Sequence, residues 1–157
     1  MKLVSYIKES HAQLAILANG LLYDMDSLHP NLPVTMTMFL NYWEDFFPLA
    51  HSINRTLLEG TTRFKGRSVA DVEILAPVPN PTSCRDGYAF RQHVASARRN
   101  RHAEMIAEFD EFPVSYFTSH KSLVGPGDIE CMPDHREKLD FELEASIVIC
   151  KHGINTR

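Results

Sequence analysis

Carboxylates and apolar side chains alternate in the stretch that reads KLDFELEASIVIC, residues 138–150. Side chains of a β-strand point to opposite faces in turn, so the pattern predicts a strand with one acidic and one apolar face. The acidic face carries Asp140, Glu142 and Glu144. Side chains two residues apart lie about 6.5–7 Å from each other, and such acids repel unless water or a cation lies among them. Both a solvated edge strand and a cation site fit this face, and the apolar run that follows predicts burial.

Composition excludes several classes of protein. The 157 residues carry 16 basic and 20 acidic side chains, and this net charge of −4 argues against general nucleic-acid binding. Three cysteines, at positions 84, 131 and 150, form neither a CxxC pair nor an even disulfide set. No apolar run reaches the length of a membrane span, and the N-terminus lacks a signal-peptide pattern. We therefore expect a cytoplasmic protein with reduced thiols and with no nucleic-acid or membrane partner.

Turn and helix signals divide the chain into two parts. Residues 2–8 predict a strand, and Asn19-Gly20 predicts a hairpin turn between two further strands. Residues 35–59 carry apolar side chains at helical spacing, which Pro48 is expected to divide into two short helices. Prolines at 77, 79 and 81 mark a connector. The expected fold class is α+β, with a small β-rich domain at 1–76 and a second domain at 77–157.

A second group of polar residues follows the connector. Residues 86–112 predict one long helix that begins at Asp86, and two turns would bring His93 onto the same face. Asp86 could be a plain helix cap, and His93 could simply pack on a half-buried face. Taken with the acids of 140–144, they suggest an oxygen-rich site for Mg²⁺, Ca²⁺ or Mn²⁺ beside a histidine able to act as a general base.

Four segments in this order resemble the fumarylacetoacetate hydrolase family. They read RDGYAFRQH (85–93), FPVSYF (112–117), SLVGPGDI (122–129) and LDFELEASIVIC (139–150). The resemblance covers most of residues 77–157 and is looser over residues 1–76, which are similar to the family's small N-terminal domain. It implies that the second domain is the beginning of a mixed β-roll.

The resemblance also implies roles for individual residues. Asp86, Glu142 and Glu144 would bind a divalent cation, Mg²⁺ or else Ca²⁺ or Mn²⁺. His93 would be the catalytic base that deprotonates water, and Tyr88 and Tyr116 would hydrogen-bond the substrate. The implied function is a homodimeric hydrolase that cleaves a carbon–carbon bond in an acylpyruvate or β-diketo acid. Decarboxylation and isomerisation of such acids also occur in the family, and the sequence leaves them open.

Family members continue past the equivalent of residue 157, through a further carboxylate ligand and a lysine. The resemblance therefore implies that this chain is a truncated, N-terminal half of such an enzyme. The alternative is a catalytically inactive relative that serves as a scaffold, an oligomerisation module or a cation-binding module.

Overall fold

The computed structural model describes residues 1–149 and 151–154, which form two compact units. One unit comprises Met1–Pro79 and the segment from Val124 onward, and the other comprises Asn80–Leu123. The architecture is mixed α/β, with a four-stranded open sheet in the first unit and a two-stranded sheet in the second. Each helix in these residues is too short or too polar to cross a bilayer.

The first three strands form the predicted antiparallel meander. They are β1 (Lys2–Lys8), β2 (His11–Ala18) and β3 (Leu21–Asp24). Asn19 and Gly20, between β2 and β3, have φ angles of 49° and 80°. A two-residue hairpin turn of the type that matches strand twist needs positive φ at both positions, and Asn-Gly supplies them at low cost. The predicted turn is confirmed.

Both edges of this sheet are partly covered. The short strand β4 (Arg67–Ser68) pairs with β3. On the other side, the Ile7 amide donates to the Glu73 carbonyl at 2.9 Å, and the Leu75 amide donates to the Ser5 carbonyl at 2.9 Å. Backbone groups at the edge of β1 thereby gain partners.

Helices cover one face of the sheet. They are α1 (Met25–Leu28), α2 (Met36–Asn41) and α3 (Trp43–Leu58). The expected division at Pro48 is wrong, because the break falls at Tyr42, whose φ of −126° and ψ of 43° are not helical. Pro48 lies inside α3, where its missing amide removes one intrahelical hydrogen bond without ending the helix.

The main core lies between β2 and the helices. Even-numbered residues of β2 face it, since Leu14, Ile16 and Ala18 are buried there, while Ala15 packs on the opposite face with Tyr6 and Leu22. Five of the apolar residues that recur at helical spacing in 35–59 join the main cluster; these are Met36, Phe39, Leu40, Trp43 and Phe47. The period of two in β2 thus matches burial on both faces.

The second unit contains two short strands instead of one long helix. Its elements are β5 (Arg85–Gly87), α4 (Arg91–Asn100), a 3₁₀ turn (Ala107–Asp110) and β6 (Ser115–Phe117). The helix stops because His102 takes a left-handed conformation with φ of 54°. The amides of His102 and Ala103 then donate to the carbonyls of Arg99 and Arg98, which satisfies the end of the helix.

The expected strand at 138–150 is absent from the residues that the structure describes. A 3₁₀ segment (Pro133–Lys138) precedes it, and residues 139–149 form no ladder. Ile147, Val148 and Ile149 are exposed, so the expected burial is also wrong, and Cys150 lies outside the described residues. A strand needs a partner for its backbone hydrogen bonds, and among the described residues none pairs with this segment.

Earlier in the same segment, Gly125 packs closely on residues 1–79. A Cβ at this position would lie 1.9 Å from the carbonyl oxygen of Ile74. Only glycine therefore fits there without displacing backbone.

Candidate metal and substrate site

The two-stranded sheet of the second unit places Asp86 opposite Tyr116. β5 and β6 are antiparallel, and their register pairs Asp86 with Tyr116 and Arg85 with Phe117. Directly opposed residues project from the same face, so the Asp86 carboxylate and the Tyr116 ring are neighbours. On the other face, the Arg85 guanidinium lies 3.8 Å from the centre of the Phe117 ring. One face of the sheet therefore carries Asp86 and Tyr116, and the other carries the cation–π contact between Arg85 and Phe117.

Asp86 is therefore a strand residue, and its expected place at the start of a helix is wrong. It cannot share a helical face with His93, because α4 begins only at Arg91. Strand pairing prevails here, since the backbone of residues 85–87 bonds to residues 115–117. The Asp86 side chain is half-buried.

Tyr88 connects the strand pair to the helix. Its amide donates to the Val114 carbonyl at 3.1 Å, which continues the pairing beyond β5. The Tyr88 ring meets the His93 ring edge to face, with centroids 6.4 Å apart, and meets the Phe109 ring at 6.5 Å. The phenol is half-buried and its ring position is fixed from two sides.

His93 lies in the first turn of α4 and is exposed. Its neighbour Val94 is fully buried and anchors the helix, which turns His93 toward solvent beside Tyr88. It lines a shallow, open depression with residues 89–92 and Ser96. An exposed imidazole in such a depression can exchange protons with water or with a bound acid.

Glu142 and Glu144 lie close together in the segment that follows Val124. Carboxylate oxygens of the two residues are within 4.8 Å of each other, and both side chains are exposed. No basic side chain within residues 1–149 and 151–154 forms an ion pair with either of them. Two adjacent unpaired carboxylates are the hard oxygen donors that Mg²⁺, Ca²⁺ and Mn²⁺ prefer. Asp140 instead accepts a hydrogen bond from the Phe141 amide at 2.9 Å.

The candidate residues thus fall into two groups. The unit Asn80–Leu123 brings together Asp86, Tyr88, His93 and Tyr116 around its strand pair and the start of α4. Glu142 and Glu144 form a pair in the other unit.

Two arginine contacts near Tyr88 could not be read from the sequence. Arg91 forms a two-pronged ion pair with Asp110 at 2.9 and 3.0 Å, and this contact lowers the pKa of the Asp110 carboxyl and raises that of Arg91. Arg101 donates to the Tyr88 hydroxyl at 3.4 Å. Both pairs span more than twelve residues, and no spacing rule links positions across a helix end and a turn.

Comparison with known proteins shows a family similarity in the second half of the chain. Residues 82–156 match the family model described as fumarylacetoacetate (FAA) hydrolase C-terminal. The match contains all six candidate residues and confirms the resemblance seen in the sequence.

Curated relatives extend the similarity to most of the chain. The chain is 29% identical to oxaloacetate tautomerase Fahd2a, mitochondrial, of Rattus norvegicus over 98% of this chain and 46% of that protein. It is 30% identical to fumarylacetoacetate hydrolase domain-containing protein 2 of Pongo abelii over 85% of this chain and 38% of that protein. The chain is 29% identical to oxaloacetate tautomerase FAHD2A, mitochondrial, of Homo sapiens over 85% of this chain and 38% of that protein. The chain therefore spans less than half the length of these relatives.

Proposed function

We propose that the chain forms part of a divalent-cation-dependent enzyme acting on 2-oxo acids, because residues 82–156 match the fumarylacetoacetate hydrolase family model. The observation that carries this proposal is the family match, which contains every candidate residue for the cation, the base and the substrate. We also propose that residues 77–157 form the beginning of the mixed β-roll of such an enzyme.

The proposed cation ligands are Asp86, Glu142 and Glu144. Glu142 and Glu144 support this assignment, because their carboxylates lie within 4.8 Å of each other and form no ion pair with a basic side chain of the described residues. A bound cation would relieve the repulsion between them. The donor set is all carboxylate, which favours Mg²⁺, Ca²⁺ or Mn²⁺ over zinc. When bound, such an ion would polarise the ketone oxygen of a 2-oxo acid and stabilise negative charge that develops there.

The proposed roles of the remaining residues follow from their chemistry. His93 accepts and returns the proton, because its imidazole is exposed and lies beside Tyr88. Tyr88 and Tyr116 donate hydrogen bonds to the substrate's oxygen atoms. Tyr116 lies opposite Asp86 in the strand pair, so a substrate held near Asp86 is within reach of its phenol.

Keto–enol tautomerisation is the first candidate reaction. The names of the relatives from Rattus norvegicus and Homo sapiens, oxaloacetate tautomerase, favour it. In this reaction His93 removes a proton from the carbon beside the ketone, the electron pair moves toward the ketone oxygen, and that oxygen takes up a proton. No bond between heavy atoms breaks.

Carbon–carbon bond hydrolysis of an acylpyruvate or β-diketo acid is the second candidate. The family name and the exposure of His93 to water favour it. His93 would then deprotonate a water that attacks the distal carbonyl, and the bond to the neighbouring carbon would break to release an enolate.

Proton NMR in D₂O separates the two reactions. We expect the chain with Mg²⁺ to speed deuterium exchange at the carbon beside the ketone of oxaloacetate, while an acylpyruvate stays intact. Two cleavage products from the acylpyruvate would instead establish hydrolysis. His93→Ala should lower the rate of whichever reaction is observed, exchange or cleavage, on the order of 10²–10⁴-fold. The control is His135→Ala, an exposed histidine outside the candidate group. Exchange at the buffer rate and no cleavage would favour the inactive scaffold.

The proposal extends to the location and the oligomeric state of the protein. We propose a cytoplasmic homodimer, as the sequence suggests, although the names of several relatives include the word mitochondrial. Cell fractionation and light scattering of the purified chain test the two statements separately.

A further inference from the structure

Arg101 differs from the three arginines of α4 in the group that it contacts. Arg91 binds the Asp110 carboxylate, Arg98 donates to the Glu104 carbonyl, and Arg99 donates to the Ser96 hydroxyl. Arg101 instead reaches back along α4 and donates through Nη2 to the Tyr88 hydroxyl at 3.4 Å. Its Nε also donates to the Ala97 carbonyl at 3.2 Å, which holds the guanidinium against the helix.

The contact fixes the direction of the Tyr88 proton. A guanidinium has five donors and no acceptor, so the Tyr88 oxygen must accept from Arg101. The ring itself is held between His93 and Phe109, and its rotation about the C–O bond is the remaining freedom of the hydroxyl. With one lone pair engaged by Arg101, the O–H is left to donate to another acceptor.

We propose that Arg101 is a positioning residue that commits the Tyr88 hydroxyl to donating to an anionic oxygen of the substrate. Arg101 thereby favours ligands that offer a carboxylate or enolate oxygen over ligands that offer a hydroxyl donor. The inference rests on the proposed function, which places Tyr88 at the substrate, and it assigns Arg101 a role through Tyr88 and not by direct contact with the ligand.

A double-mutant cycle on oxalate binding tests this role. Oxalate carries two carboxylates and stands in for a 2-oxo acid, and its affinity for the full chain with Mg²⁺ is measured by calorimetry. We expect Arg101→Ala to weaken binding about 2- to 10-fold, the usual contribution of one hydrogen bond. The same substitution should cause no further loss in a Tyr88→Phe background, because the hydroxyl that Arg101 positions is gone. Arg101→Lys, which keeps a donor, should restore part of the affinity.

Arg99→Ala is the matched control, since Arg99 lies in the last turn of α4, two residues before Arg101, and contacts Ser96 instead of Tyr88. It should bind oxalate like the unsubstituted chain. An undiminished loss on Arg101→Ala in the Tyr88→Phe background would show that Arg101 contacts oxalate directly, and would overturn the inference. So would an Arg101→Ala affinity equal to that of the unsubstituted chain.

A measurement without ligand keeps the inference separate from the proposed function. In the chain labelled with 3-fluorotyrosine, the ¹⁹F resonance that disappears in Tyr88→Phe belongs to Tyr88. We expect the chemical shift of this resonance to change in Arg101→Ala and to stay the same in Arg99→Ala. An unchanged chemical shift in Arg101→Ala would show that the contact is absent and would overturn the inference. If it changes while the unsubstituted chain does not bind oxalate, the proposed function fails, and with it the role of Arg101 in recognition, although the contact stands.

Discussion

Strand β2 and residues 140–149 both have the sequence of a β-strand, but only β2 is paired and buried. Leu14 of β2 is 0% exposed, whereas Leu143 is 97% exposed. β2 has a hydrogen-bonding neighbour on each side, β1 and β3, and its even-numbered residues pack under the helices. Residues 140–149 have no neighbouring strand among the described residues. Alternation determines which side chains share a face, but burial depends on a partner that the pattern does not contain.

The largest expected difference between the two regions comes from one matched substitution. Leu14→Ala should lower the free energy of unfolding by about 2–5 kcal/mol, because it removes buried methyl groups and leaves a cavity. Leu143→Ala should change it by less than about 0.5 kcal/mol, since the side chain is in water. Urea unfolding followed by circular dichroism measures both. Equal losses would show that residues 140–149 are packed as β2 is, and would break the comparison.

A carboxylate buried in the sheet sharpens the contrast with the exposed acids. Asp24, at the end of β3, accepts hydrogen bonds from the Tyr6 hydroxyl and from Lys8 Nζ, the latter at 2.7 Å. Arg67 adds a weaker contact at 3.4 Å and lies over the Tyr6 ring. Asp24 thus joins β1, β3 and β4, whereas Glu142 and Glu144 have no such partners within the described part of the chain.

Removing this buried acid should therefore cost stability where removing an exposed acid does not. We expect Asp24→Ala to lower the free energy of unfolding by about 1–3 kcal/mol, because the buried Tyr6 hydroxyl loses its acceptor. The control is Asp140→Ala, whose side chain is exposed and accepts only from the adjacent amide. A tolerated Asp24→Ala would mean that Tyr6 finds another acceptor.

The same network predicts a loss of stability in alkali. Burial and the hydrogen bond to Asp24 raise the pKa of the Tyr6 phenol, and the hydrogen bond to Asp24 raises the pKa of Lys8. Above about pH 10 the unfolded chain releases these protons while the folded chain retains them. Stability is then complete below that pH and falls as pH rises, by as much as about 1.4 kcal/mol per pH unit from Tyr6.

The slope of unfolding free energy between pH 10 and 11 checks this expectation. Tyr6→Phe should make the slope shallower, whereas Tyr116→Phe, which removes an exposed phenol, should leave it as in the unsubstituted chain. Identical slopes in all three proteins would assign the alkaline loss to other groups.

Local signals in the sequence predicted local structure well. Asn19-Gly20 and the spacing of Met36 and Phe39 depend on neighbours a few residues away, and the structure confirms them. The place of Asp86 was missed because its partner, Tyr116, lies thirty residues further along the chain. The strand expected at 138–150 failed for a similar reason, since pairing is a property of two segments.

The candidate site shows the same division. Motif order along residues 85–150 predicted the resemblance to the family, which the match over 82–156 confirms, whereas the roles of the individual residues stay predictions. The Arg101–Tyr88 contact could not be predicted from the sequence, because it depends on where α4 ends. Motifs therefore name the residues that take part, while their mutual geometry needs the fold.

Calorimetric titration of the chain with Mg²⁺ and Mn²⁺ tests the central proposal, that Glu142 and Glu144 bind a divalent cation. Saturable binding is expected in the unsubstituted chain and in Glu130→Ala, a control at an exposed acid outside the ligand set. Binding should be lost in Glu142→Ala and Glu144→Ala with unchanged stability, because both side chains are exposed. No saturable binding in the unsubstituted chain, or equal binding in all four proteins, would contradict the account.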